Sequence, residues 1–439
     1  MKTKIDFNRF KVALSTATPV QLIGEVSKVV GLLIESNGPN VPVGSICEIV
    51  DRSSKRVEAE VVGFKDNRLA LMPLGTTKGV EAGCKIIYKQ KEASAKVGNN
   101  LLGRVIDSNG NPLDSKGSIV TEATNLLYNQ NLNPIERKPI QTPFDVGIKG
   151  INGLFSLGQG QRIGIIAGAG VGKSMLLGMI TKNSDCDVVV IAMIGERGRE
   201  VNDFIRNVLD EESLSRSVII VATSDQSALE RTRSAFYAVA VAEYFMEQNK
   251  NVLLVMDSLT RFANAQREIG LSIGEPPVSK GYPPSLFSIL PQLIERAGSW
   301  VNKGSITAVY SILVEADNSN DLISDVAKSI LDGHITLSRK LAAANHYPAI
   351  EISDSISRVM PEIVTKEHLE YAGQFKKIYA TYKEAEDLIN IGAYAKGSNK
   401  AIDESINKID NFYKYLTQNF EESISLEESL RLLKMIFKK

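Results

Sequence analysis

The stretch Ala167-Gly-Ala-Gly-Val-Gly-Lys-Ser174 holds the residue types that phosphate binding requires. Gly168, Gly170 and Gly172 let the backbone curl until its N–H groups converge on phosphate oxygens. Lys173 brings a point charge to the outer phosphates, and Ser174 a hydroxyl for magnesium. Such loops usually open on Gly, and Ala167 stands there instead; that position needs only an ordinary backbone angle if the turn is kept. The expected nucleotide-binding run is therefore Gly168, Ala169, Gly170, Val171, Gly172, Lys173, Ser174 and Met175.

Binding is not hydrolysis, which needs a second acid and support for a metal. Asn251-Val-Leu-Leu-Val-Met-Asp257 reads as a buried strand ending in an acid, placed to hold magnesium through water. Asp187-Val-Val-Val-Ile-Ala-Met-Ile194 is a second buried strand. It delivers Gly195-Glu196-Arg197-Gly198-Arg199-Glu200 to the carboxyl edge of a sheet, where ligands sit in such folds. Glu196, the first acid after the strand, is the candidate for orienting an attacking water. Arg197 either faces the phosphates or pairs with a surface acid. Glu200 falls in the next helix, where a structural role suits it. Arg261, just beyond Asp257, stands near the phosphates or a subunit boundary. Arg358 follows the strand-like Ala349-Ile-Glu-Ile352; read alone, it is a surface salt-bridge arginine.

These residues need a scaffold. Gln161-Arg-Ile-Gly-Ile-Ile166 predicts a buried strand before the loop, and Met175-Leu-Leu-Gly-Met-Ile180 a helix after it. From Leu101 to about Pro361 apolar strands alternate with helical stretches, as in a wound α/β sheet. Residues 21–91 differ: short alternating runs such as Val57-Glu-Ala-Glu-Val-Val62 lie between turn signals such as Lys65-Asp-Asn67, which predicts a small β-barrel. Its aromatics, Phe64 and Tyr88, are too few for a base-stacking platform, so an assembly collar fits better. Lys91 to Asn100 reads as a polar linker. Beyond Pro361 the pattern is helical, with Tyr379, Tyr382, Leu388, Ile389, Ile391, Ile402, Ile406, Ile409 and Phe412 on an apolar face. The expected division is an arm over 1–20, a barrel over 21–91, a core over 92–361 and a helical domain over 362–439. On the arm, Phe7, Phe10 and Leu14 share one helical face, which suits either a docked terminus or a partner-binding helix.

Composition sets the outer bounds. The 439 residues balance 51 Lys+Arg against 51 Asp+Glu, which gives no footprint for nucleic acid or an anionic membrane. Cys47, Cys84 and Cys186 lack metal spacing and fit a reducing compartment. No secretory signal or bilayer-length apolar run is read, so the expectation is a soluble intracellular protein.

At this level the match to a family becomes specific. The loop itself, Ile194-Gly-Glu-Arg-Gly-Arg-Glu-Val201, Asp257-Ser-Leu-Thr-Arg-Phe-Ala263 and Arg267-Glu-Ile-Gly-Leu resemble the catalytic subunits of rotary ATP synthases. Gly274-Glu-Pro-Pro277, Gly281-Tyr-Pro-Pro-Ser-Leu286, Ile330-Leu-Asp-Gly-His-Ile335 and Glu386-Asp-Leu-Ile-Asn-Ile-Gly-Ala-Tyr394 narrow this to the type III protein-export ATPases. The residues around Gly-Lys-Ser are most similar to the flagellum-specific branch. The resemblance implies a P-loop (RecA-like) core between an N-terminal barrel and a C-terminal helical domain, and Mg²⁺-dependent ATP hydrolysis in a ring of six. It implies Glu196 as catalytic glutamate, Asp257 as metal-supporting acid and Arg358 as an arginine finger reaching the neighbouring subunit. Tyr347 resembles the adenine-stacking tyrosine, against the alternative of a plain core residue. Implied partners are a stator-like regulator on the N-terminal arm, a coiled-coil stalk in the pore, export-gate membrane proteins, and cargo with chaperones. That places the chain in the cytoplasm, peripheral to the inner membrane. Asp317-Asn-Ser-Asn-Asp-Leu-Ile-Ser-Asp325 departs from the family pattern, in which a proline usually precedes the Ile; this touches loop shape rather than catalysis. Three other readings compete. Neutral charge and the aromatic-poor barrel oppose an RNA-translocating helicase, and Glu196 opposes a non-hydrolysing scaffold. An ATP-switched cargo receptor remains compatible as an added role.

Overall fold

Between residues 21 and 93 the apolar side chains alternate, and six strands result: β1 (Ile23–Val30), β2 (Leu33–Asn37), β3 (Ile46–Val50), β4 (Arg56–Lys65), β5 (Arg68–Pro73) and β6 (Lys85–Gln90). The computed structural model describes residues 21–129, 133–314 and 321–438; the arm over 1–20 and residues 317–320 of the departure lie outside them. The strands close in the order β1-β2-β5-β4-β3-β6, with β6 pairing back onto β1. Closure leaves no backbone edge unpaired. Val26, Ile34, Cys47, Ile49, Val61 and Ile86 fill the interior. Asp66 and Asn67 join β4 to β5 with φ of 48° and 61°, the left-handed pair that a two-residue type I′ turn needs.

The second unit, from residue 94 onward except 272–274, is built on a wound sheet. Its outer ribbon pairs β7 (Ser94–Val97) with β9 (Ala123–Leu126), and β8 (Arg104–Ile106) lies between them in sequence. The polar stretch read as a linker is thus partly strand. Ala95 and Val97 are fully buried, but four residues are too few to show an alternation. The central strands are β10 (Arg162–Ala167), β11 (Val188–Ile194), β12 (Ser217–Ala222), β13 (Asn251–Asp257), β14 (Ser305–Leu313), β15 (Gly333–Leu337) and β16 (Ile350–Ser357). Their order is β16-β15-β10-β14-β13-β11-β12-β8. All neighbours on this path run parallel except β16, which is antiparallel to β15. Parallel strands buried on both faces read as unbroken apolar runs, and β11 is buried at all seven positions.

Helices α1 (Lys173–Asn183), α2 (Ala228–Glu247), α3 (Leu259–Ile273), α4 (Leu322–Ile330) and α5 (Arg339–Ala343) link these strands. A capping box between Ser227 and Glu230 starts α2. The C-terminal helices are α6 (Lys366–Asn390), α7 (Lys400–Leu416) and α8 (Leu426–Phe437). Phe375 and Phe412 stack between α6 and α7 with centroids 3.9 Å apart. Tyr415 ties α7 to the short helix Lys149–Leu154 by donating to the Lys149 carbonyl at 3.0 Å. The helical region therefore shares one core with the sheet; the same cluster holds Ile165, Phe375 and Leu433. Tyr379, Ile409 and Phe412 bury as the apolar face requires. Leu388 and Ile391 do not: at 50% and 76% exposure they cap the far end of the α6–α7 hairpin, beyond the reach of that core.

Candidate functional site

Parallel pairing brings the carboxyl ends of β10, β14, β13 and β11 into line. Ala167 stands beside Leu313, Met256 beside Tyr310, and Met193 beside Asp257. From Ala167 the chain turns through Gly168–Gly172 into α1. Gly170 and Gly172 take φ of 76° and 90°, a conformation that side chains resist. Val171 points its side chain into the core at 1% exposure, so the loop offers its backbone outward, with Ala169 and Gly170 exposed. Lys173 opens α1, and Ser174 and Met175 are exposed on its first turn, where free N–H groups and the helix dipole favour an anion.

Charges converge below this loop. Asp257, the last residue of β13 and 4% exposed, accepts from the Ser311 hydroxyl at 2.5 Å and from the Lys173 ammonium. The same ammonium lies 3.7 Å from Glu196, which follows β11 and is 7% exposed. Two carboxyls thus share one lysine. Glu196 Oε1 is buried without a hydrogen-bond partner among the described residues. Burial first, then the charge of Asp257, push the Glu196 carboxyl up to about 7 against the pull of Lys173; Glu200 adds to the rise and Arg261 opposes it. The excess of hard oxygen donors over cations here, with the Ser174 hydroxyl exposed beside it, fits a divalent ion such as Mg²⁺.

The arginines divide by location. Arg261 lies in the first turn of α3 with its side chain against Gly195, close to Glu196, and its Nε has no partner among the described residues. Arg197 is 78% exposed and lies 3.7 Å from Glu200, the surface acid of its two readings. Arg358 follows β16 at the opposite, amino edge of the sheet. Its backbone N–H donates to the Asp332 carbonyl at 2.9 Å, and its guanidinium to the Leu331 and Lys328 carbonyls at 3.3 and 3.1 Å, at the end of α4. Tyr347 comes to the loop: an ideal Cβ on Gly172 would sit 3.1 Å from its ring, which is 39% exposed.

Two residues at this edge escaped the sequence reading. Ser311 is a small hydroxyl two residues from the carboxyl end of the mostly apolar strand Ser305–Leu313, a signal that was there to use. Arg339 opens α5 and brings a guanidinium nitrogen to 3.2 Å from where Gly168 would carry a Cβ. Nothing in the residues around Arg339 advertises that approach.

Three family models match the chain in order: the ATP synthase alpha/beta family beta-barrel domain over 26–89, the nucleotide-binding domain of that family over 147–357, and the T3SS EscN ATPase C-terminal domain over 364–435. A flagellum-specific ATP synthase from Pseudomonas aeruginosa is 47% identical over 410 residues, covering 92% of this chain and 91% of that protein. A type 3 secretion system ATPase from Xanthomonas euvesicatoria is 44% identical over 421 residues, covering 96% and 95%. The assembled ATPase EscN of the enteropathogenic E. coli type III secretion system superposes with a TM-score of 0.90 at 44% identity, over 94% of this chain and all of that one. In complex with its central stalk EscO, EscN matches with a TM-score of 0.87 at 43% identity, with the same coverage. The chain belongs to the ATP synthase alpha/beta family, among the flagellar and type III secretion ATPases.

Proposed function

We propose that this chain hydrolyses ATP with Mg²⁺ in a homohexameric ring that drives flagellar type III protein export. The observation that carries the reading is the group Lys173, Asp257 and Glu196 beneath a phosphate-binding loop. The loop backbone from Gly168 to Met175 cradles the polyphosphate, and Lys173 leaves its carboxylates for the outer phosphates. Ser174 and Asp257 would hold Mg²⁺, which when bound would neutralise charge on the phosphate oxygens. Glu196 orients the attacking water and receives its proton, a task suited to a carboxyl near neutrality. Tyr347 stacks on the adenine, Arg261 stands by at the mouth for the departing phosphate, and Arg197 stays paired with Glu200.

Arg358 completes the site of a neighbouring copy. The bond from its N–H to Asp332 puts it beside Arg162, where β10 begins, while Lys173 lies past the other end. Six strand residues at about 3.3 Å each keep the two roughly 20 Å apart within one chain. A finger of this kind stabilises the transferring phosphoryl group. EscN, solved assembled and with a central stalk, supports a ring and a stalk partner here as well. The stator-like regulator at residues 1–20, the export-gate membrane proteins, and cargo with chaperones complete the reading, as does a cytoplasmic place at the inner membrane. No helix among the described residues is long and apolar enough to cross a membrane.

The decisive experiment pairs two variants. Lys173→Ala loses ATP binding, whereas Glu196→Gln binds ATP and fails to turn it over; normal turnover by Glu196→Gln removes that residue from the mechanism. The injectisome branch is the second reading, favoured by the C-terminal match to the EscN model. Restoring motility to a bacterium without its flagellar ATPase supports the flagellar assignment. Restoring injectisome secretion, but not motility, reverses it.

A further inference from the structure

The loop after α7, residues 417–422, touches the Tyr347 segment, the Gly147–Lys149 turn and the helix that follows the P-loop. The Gln418 backbone N–H donates to the Tyr347 carbonyl at 3.0 Å. The Gln418 side chain is 4% exposed, and both ends of its amide are engaged. Oε1 accepts from the Lys149 N–H at 2.9 Å; Nε2 donates to the carbonyls of Gly147 and Glu422 at 2.8 and 2.9 Å. Gly147 and Lys149 flank Ile148, a core residue, so the amide is anchored where the chain is most tightly packed. Beside Tyr347, the His346 ring meets Tyr413 edge-on at 5.6 Å, and its Nδ1 lies 3.4 Å from the Thr417 hydroxyl. Further along the loop, Phe420 lies under the Lys182 ammonium at 4.7 Å, and Glu421 pairs with Lys182 at 3.2 Å, on the helix that starts at the P-loop.

We propose that Gln418 is a positioning residue for Tyr347: through loop 417–422 it sets the height of that ring over the P-loop, so that affinity for the nucleotide base is adjusted from the C-terminal helices. This rests on the ATPase reading above. Stacking is sensitive to ring placement, and the partly exposed Tyr347 takes its placement from the backbone that Gln418 holds. By linkage, whatever displaces α7 shifts nucleotide affinity, and bound nucleotide shifts the affinity of that partner by the same factor.

The test uses the full chain and Gln418→Met, which keeps side-chain volume and removes both hydrogen-bonding ends. Losing the bracket raises KM for ATP about fivefold, the worth of roughly one hydrogen bond, while kcat falls by less than about twofold. The inhibition constant of inorganic tripolyphosphate, which has no base to stack, stays at the parent value. In a Tyr347→Ala background Gln418→Met adds nothing to KM, because both act on one contact. If Gln418→Met melts too low to assay, His346→Ala loosens the same segment without emptying the buried bracket and gives the same pattern. A rise in the tripolyphosphate constant in step with KM, or additive effects with Tyr347→Ala, overturns the inference. A parent chain without Mg-ATPase, or activity surviving Lys173→Ala, fails the ATPase reading instead.

Discussion

Lys173 and Arg358 stand at opposite ends of β10, and their surroundings could hardly differ more. The lysine side chain is 11% exposed and wedged between Asp257 and Glu196. The arginine is exposed and held by carbonyl oxygens alone among the described residues. Carbonyls orient a guanidinium without neutralising it, so Arg358 keeps a full charge to present outward. The carboxyl edge is the reverse, with charges gathered and shielded, two carboxyls to one lysine. A P-loop is a place where ligand charge is received. An exposed arginine on a rigid carbonyl seat suits charge delivered elsewhere.

Removing the delivered charge has the largest expected effect. In the proposed ring, Arg358→Ala lowers kcat by about 10³–10⁵ while ATP still binds, because the finger acts on the transition state. The parent's specific activity rises with protein concentration as copies assemble. Activity that is flat with concentration in a demonstrated monomer, and insensitive to the variant, would end the distinction between the two edges.

The buried edge is sharpened by pH. With Glu196 at about 7, kcat/KM climbs through neutrality, losing about tenfold per pH unit below it, and Glu196→Gln removes the inflection. The same carboxyl bears on stability with a definite sign. Its folded value lies above its ordinary 4.5, so the folded state favours the protonated form, and stability falls as pH rises from about 4.5 through about 7. Glu196→Gln therefore raises the melting temperature at pH 8 and leaves it little changed at pH 5. Equal shifts at both pH values would refute burial as the cause.

The smallest effect on turnover belongs to the seat of Arg358. Asp332 accepts from the Arg162 backbone N–H and from Nε and Nη2 of its guanidinium at 3.0–3.1 Å. Asp332→Asn weakens that bidentate pair, costing about 1.5–3 kcal/mol of stability in a denaturant titration, with only a modest loss of kcat. A collapse of kcat at unchanged stability would make Asp332 part of the chemistry.

Legibility in the sequence followed locality. Asp257 and Glu196 could be named because an acid directly after a buried apolar strand has only one edge to occupy. The barrel could be named because alternation persists over six strands. The ribbon of Ser94–Val97 was too short to show a period, and Leu388 and Ile391 carry a helical period that no facing layer covers. Arg339 at Gly168 and Gln418 at Gly147 are meetings across 171 and 271 residues of chain. No local pattern records such encounters. Tyr347 was nameable only by resemblance, and it is the Pro348-linked segment beside α7 that carries its ring to Gly172.

The shared core has a consequence for synthesis. One apolar cluster runs from Phe144 to Leu433, and the short helix Lys149–Leu154 is covered from residues 409–433. A nascent chain that has emerged as far as residue 361 already holds the P-loop, Glu196 and Asp257, yet leaves that apolar face bare. The core of the nucleotide unit is complete only once α8 has been translated and docked against it.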